Sequence, residues 1–179
     1  MDKSTNTIKP HDSSLAAKIL NAMAGSINSQ MTAFSSWMVA GFGAMLGLLV
    51  ANIDTVSPFI APAVIGASVK LFLVALVLNV LQRYLAAMVA GSIAVAKEVE
   101  LIPLDHEVDL SYIVREIEYA TFWPTRILVQ WSNRKALSGD LAVSGRLNVR
   151  LAQIQGWLVL VQMMVVVFSI VLIANGLKG

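Results

Sequence analysis

Polar and apolar positions in this chain change over whole segments rather than residue by residue. Residues 1–30 are polar and rich in Ser, Thr, Asn and Lys, and 31–51 hold no ionisable side chain. A polar break at 52–58 is followed by an apolar run at 59–80 that only Lys70 interrupts; 101–139 are polar, and 154–174 carry no charge. At a rise of 1.5 Å per residue, roughly twenty apolar residues cross a hydrocarbon core of about 30 Å. The pattern predicts an all-α integral membrane protein with about three transmembrane helices, at 31–51, 59–80 and 154–174. Trp37 and Trp157, near two of the entrances, suit the membrane interface.

The segments between the spans predict further elements. Residues 1–30 lack the apolar core and cleavage site of a signal peptide and are expected to stay in the mature chain. Leu15, Ala16, Ile19, Leu20 and Met23 recur at helical spacing, which predicts a short amphipathic helix lying on the bilayer, capped by Ser13 or Ser14. Residues 52–58 read as a tight turn with Ser57 as N-cap and Pro58 at the first helical position. After Val80 the chain passes Gln82-Arg83-Tyr84 and continues apolar to Ala96, with no proline between Pro62 and Pro103. The second helix is therefore expected to extend well past the span. A register shifted to 71–96 would bury Arg83 instead of Lys70; the turn at 52–58 favours 59–80.

The polar middle is acidic up to its midpoint and basic in its second half. Leu110, Ile113, Val114 and Ile117 predict one face of a helix capped by Asp109 and broken by Pro124, and Ile127, Leu128 and Trp131 one side of the next. Phe122, Trp123 and Trp131 resemble interfacial anchors. From Asp140 a last helix begins amphipathic, with Arg146 and Arg150, spans from Ile154, and stops at Asn175-Gly176. The expected organisation is a polar or amphipathic segment at 1–30, a transmembrane hairpin with an extended second helix at 31–96, an amphipathic cytoplasmic helical segment at 97–153, and a third span with the carboxyl terminus at 154–179.

Composition narrows the function classes. Of the 179 residues, 57% are hydrophobic and 13% charged, against about 45–50% and 25% in soluble domains. A net charge of +2 gives no electrostatic footprint for direct nucleic-acid binding. With no cysteine the chain has no disulfide, thiolate metal site or thiol redox centre. The 53–57 turn has no Lys or Arg, whereas the amino-terminal tail holds Lys3, Lys9 and Lys18 and residues 97–150, between the second and third spans, hold seven. The positive-inside rule places the amino terminus and the polar middle in the cytoplasm. No internal repeat suggests an inverted-repeat transporter.

Gly43 and Gly47 form a small-xxx-small step on the first span, and Ala87 and Gly91 another on the extended second helix. Small residues let helices approach closely in lipid, either within the hairpin or between copies of a homo-oligomer. Lys70 lies about 18 Å of helix beyond Pro58, where a charge costs about 2.5–3.5 kcal/mol on insertion scales. A hydrated passage or polar cluster would offset that cost, and Asn79, Gln82 and Arg83 join Lys70 as intramembrane polar or pore candidates. Gln162 and Ser169 are further polar groups on the third span. Asp105-His106-Glu107-Val108-Asp109 matches no metal-site spacing and reads as a solvated turn. No glycine-rich phosphate loop, zinc-protease helix or nucleophile elbow is present, so no catalytic, cofactor-binding or metal residues are assigned.

The hairpin from Trp37 to Val80 around Asn52-Ile53-Asp54, followed by a modest cytoplasmic segment, loosely resembles small multi-spanning membrane effectors of bacterial antiphage systems, such as those accompanying retrons or cyclic-oligonucleotide synthases. The third span at 154–174 departs from the simplest two-span members. The resemblance implies a self-associating protein of the bacterial inner membrane that permeabilises or depolarises it when a cytoplasmic sensor releases it. The alternative expectation is a non-conducting anchor or scaffold that binds a cytoplasmic protein partner through residues 97–150.

Overall fold

The structure, a computed structural model, describes residues 10–101, 110–121, 123, 125–138, 140 and 142–177. It is all-α. Helix α1 is Pro10–Ala51, α2 Ile53–Val56, α3 Pro62–Leu101, α4 Leu110–Ala120, α5 Thr125–Leu137 and α6 Val143–Asn175. Among the described residues the only β pairing is an isolated antiparallel bridge between Ile60 and Leu177. Three helices, α1, α3 and α6, are long and apolar enough to cross a membrane. The protein is a membrane-embedded, multi-spanning helical protein.

Two expectations about element boundaries are corrected. The amino-terminal amphipathic segment is no separate interfacial helix: α1 runs unbroken from Pro10 to Ala51. No proline interrupts it, and Ala24 and Asn28 are buried on the side that later carries Ser35 and Phe42. Ser13 and Ser14 lie inside this helix, and Pro10 stands at its first position, where the missing N–H costs nothing. In the hairpin turn, Ser57 closes the short α2, and Pro62 rather than Pro58 opens the second long helix. Phe59 and Ile60 donate their backbone N–H groups to Val56 O at 2.9 Å. This turn carries Ile60 to a buried position, 5% exposed, beside Leu177.

The second long helix is continuous to Leu101. Helices α4 and α5 follow the predicted apolar faces, and Ile113, Ile117, Ile127 and Trp131 on those faces are exposed. Asp109, Phe122 and the 105–109 turn lie outside the described residues.

The chain divides into two compact units, Met1–Ser26 with Val89–Arg150, and Ile27–Met88 with Leu151–Gly179. In the first, Asn148 Nδ2 donates to Asn21 Oδ1 at 2.9 Å and to Ser92 Oγ at 3.1 Å. Lys18 pairs with Glu100 at 3.2 Å, and Arg146 pairs with Asp140. A Cβ at Gly145 would stand 2.9 Å from Leu20 Cβ and 3.0 Å from Ala17 O, so this glycine permits close backbone approach of α1 and α6. In the second unit the long helices contribute about 25 residues each, roughly 37 Å of helix. That length suffices to cross the hydrocarbon core with its interfaces. Contacts there pair rising numbers on α1 with falling numbers on α3 and rising numbers on α6. Helices α1 and α6 are thus parallel, and α3 is antiparallel to both.

Candidate functional site

The spanning unit has an outside-apolar, inside-polar arrangement. Leu48, Leu73, Val77, Val80, Leu160, Val167 and Phe168 are exposed, while Ser35, Ser68, Gln82, Gln155, Gln162 and Ser169 are at most 1% exposed. Lipid is as apolar as leucine, so facing outward costs the aliphatic side chains nothing, and the polar ones do best against each other.

The polar side chains are placed by a seven-residue period. On α6, Gln155, Gln162 and Ser169 are seven apart, alternating with Val159 and Val166. On α1 the row is Asn28, Ser35, Phe42, and on α3 it is Ser68, Ala75, Gln82. A period of seven holds one stripe of a helix against its partners over several turns, as in left-handed supercoils. Here the stripe combines amides and hydroxyls with small or aliphatic residues.

At the centre, Ser35 Oγ donates to Gln162 Oε1 at 2.8 Å, and Gln82 Nε2 donates to the same oxygen at 2.6 Å. Asn79 Nδ2 donates to Ser35 Oγ at 2.7 Å. One carbonyl oxygen thus joins all three helices. Nearby, Gln155 Nε2 donates to Thr32 Oγ1 at 3.1 Å, and Asn28 Nδ2 to Ala86 O at 3.1 Å. The network is incomplete. Among the described residues, the buried Asn28 Oδ1, Gln82 Oε1, Gln155 Oε1, Gln162 Nε2, Ser68 Oγ and Ser169 Oγ have no hydrogen-bond partner. Each such group costs free energy inside a bilayer.

An apolar layer interrupts the polar seam. Phe42, Leu46, Ala75 and Val166 are buried together, with Met38, Met45, Phe72 and Val165 packed on them. Phe42 meets Phe72 edge to face, with ring centroids 5.6 Å apart and planes at 71°. By chain position this layer lies between the Gln162 level and the Ser68 and Ser169 level.

The structure sorts the sequence candidates into two groups. Asn79 and Gln82 meet in the seam. Lys70 and Arg83 are exposed on α3, away from it; Arg83 donates to Ser36 Oγ at 2.6 Å. Lys70 lies eight residues after the first residue of α3, about 12 Å along the axis. Helical side chains lean toward the amino-terminal end, which for α3 is the Pro62 end. Gly43 packs internally, since a Cβ there would stand 2.9 Å from Phe72 Cζ. Gly47 and Gly91 have open space beside them, and Ala87 is exposed. The roles of Ser35, Gln155, Ser68 and Asn28 escape a search for charged or catalytic patterns. Their signal is the seven-residue spacing, which a search for apolar helical faces passes over because the stripe is polar.

Compared with known protein families, curated proteins and solved structures, the chain matches none.

Proposed function

We propose that this protein is a self-associating membrane protein that permeabilises the bacterial inner membrane when triggered, in the manner of an antiphage effector. The observation that carries the proposal is the polar seam on all three spans, buried yet incompletely hydrogen-bonded. A bundle that needed polar groups only as glue would do best with each one paired. Here the unpaired amide atoms favour any rearrangement that admits water. When copies associate and the spans turn, Ser35, Asn79, Gln82, Gln155 and Gln162 become the lining of a shared passage. Its wall of neutral amides and hydroxyls would pass small ions of both signs. The apolar layer of Phe42, Leu46, Ala75 and Val166 acts as the seal, excluding water from the seam until then. The open faces at Gly47 and Gly91 support contact between copies.

The test follows membrane potential and dye entry on induced expression, with wild type and Gln82→Leu/Gln162→Leu at matched levels. Depolarisation by the wild type and its loss in the double variant support the proposal. Absence of depolarisation under any trigger favours the second reading, a membrane anchor that engages a cytoplasmic partner through 97–150. That reading draws on the exposed Ile113, Ile117, Tyr119, Trp123 and Ile127 of the polar middle.

A further inference from the structure

A groove of about 830 Å³ opens along the outer side of α1 and α6 within the spanning unit. Its walls are Met31 and Phe34 of α1 and Trp157, Leu160 and Met163 of α6; Val159, 3% exposed, lies beneath. Gly156 provides the hollow, with no atom near the position its Cβ would take. Gln30 and Gln153, at the end nearest the start of the unit at Ile27 and Leu151, complete the lining. We infer that this groove is a binding site for one lipid, its acyl chain laid against Phe34, Leu160 and Met163 and its glycerol ester region held by Gln30 and Gln153.

Three observations select that occupant. The groove is polar at one end only, and its two glutamines, Gln30 and Gln153, directly precede the apolar runs of α1 and α6 that begin at Met31 and Ile154, where the hydrocarbon core gives way to the ester groups. From Gln153 to Met163 it runs about 15 Å along α6, half the thickness of the hydrocarbon core and hence the depth of one leaflet. Its lining is also wrong for a helix of a second copy. Close helix approach in lipid requires small residues, and here large, adaptable Met, Phe, Trp and Leu side chains surround a single glycine. Gly41, Ala44 and Gly47, the small surface of α1, are not part of the lining. A hollow on a surface bathed in lipid is filled by a flexible chain, which gains dispersion contacts there. The inference is independent of permeabilisation.

The full chain in detergent, with Trp37, Trp123 and Trp131 replaced by Phe, reports on the groove through Trp157 fluorescence. The control retains Trp37, 80% exposed and outside the lining, as its only tryptophan. Brominated phosphatidylcholine is titrated into both. Expected for Trp157 is saturable quenching by about one lipid per chain, half-complete at roughly tenfold lower lipid than for Trp37. Bromine carried high on the acyl chain should quench more than bromine near its methyl end. Gly156→Leu should bring Trp157 to the Trp37 curve with helicity retained; if that variant does not fold, Leu160→Asn takes its place. Coincident curves for Trp157 and Trp37, or a Trp157 response unchanged by the substitution, would overturn the site. So would a Trp157 shielded from lipid in a dimer.

Discussion

Gln82 and Gln162, 80 residues apart in sequence, share a 2.6 Å hydrogen bond at the centre of the spanning unit, and Ser35 donates to the same Gln162 oxygen. Gln162 Oε1 is therefore an acceptor on which the three spans converge. Replacing Gln162 by Leu leaves Gln82 Nε2 and Ser35 Oγ without that acceptor. We expect it to destabilise the protein by about 1–2 kcal/mol. Gln82→Leu/Gln162→Leu should cost less than the sum of the two single changes, because both remove the same bond. Thermal unfolding in detergent, followed by circular dichroism, measures both effects. Strict additivity would show that the two amides do not interact in the folded protein.

The glycines of the first span separate internal packing from association. Gly43→Ile drives a side chain into the Phe72 ring and should destabilise the fold by about 1–3 kcal/mol. Gly47→Ile meets nothing within the chain. It should leave unfolding unchanged while removing cross-linked oligomers from membranes. Oligomers that survive Gly47→Ile would move the contact between copies to another face.

Lys70 is exposed, away from the polar seam, so under the proposed function Lys70→Leu should insert at least as well as wild type and leave depolarisation unaltered. Dye entry and membrane potential in cells producing matched amounts of each variant decide the point. Loss of depolarisation with insertion retained would run the passage over the outer face of α3 instead of through the seam.

Gly145 sits against the α1 backbone at Ala17, with a Cβ position 3.0 Å from Ala17 O. Gly145→Ala must push the two helices apart in the unit that contains them. We expect about 1–3 kcal/mol of destabilisation, measured by unfolding in detergent, whereas Gly91→Ala, in open space, should change stability little.

The Lys and Arg distribution predicts an orientation with the amino terminus in the cytoplasm. A reporter at Thr55 should read outside the cytoplasm and one at Gly139 inside. A cytoplasmic signal at Thr55 would reverse the orientation and assign the groove lipid to the opposite leaflet.

That the chain is helical and membrane-embedded follows from its polar and apolar pattern alone. Continuous apolar runs of about twenty residues, such as 31–51 and 154–174, fit the length of a spanning helix, which satisfies its own backbone in lipid, and the absence of proline between Pro62 and Pro103 predicts the long second helix. What lies inside the bundle was legible only in part. Asn79 and Gln82 stand out in the sequence as polar residues in or beside an apolar run. Their joining with Ser35 and Gln162 depends on which way four side chains on three helices face, and residues 80 and 127 positions apart must meet for it. Local pattern does not encode such meetings, because lipid provides no hydrophobic contrast to mark the inner face. Lys70 illustrates the same limit. Its charge was plain in the sequence, but its outward direction and its distance from the end of the span were fixed by where α3 begins, at Pro62, and by the packing of that helix. The tertiary structure alone decided which polar groups are buried together, because in a membrane the inside of a protein is defined by its other helices rather than by water.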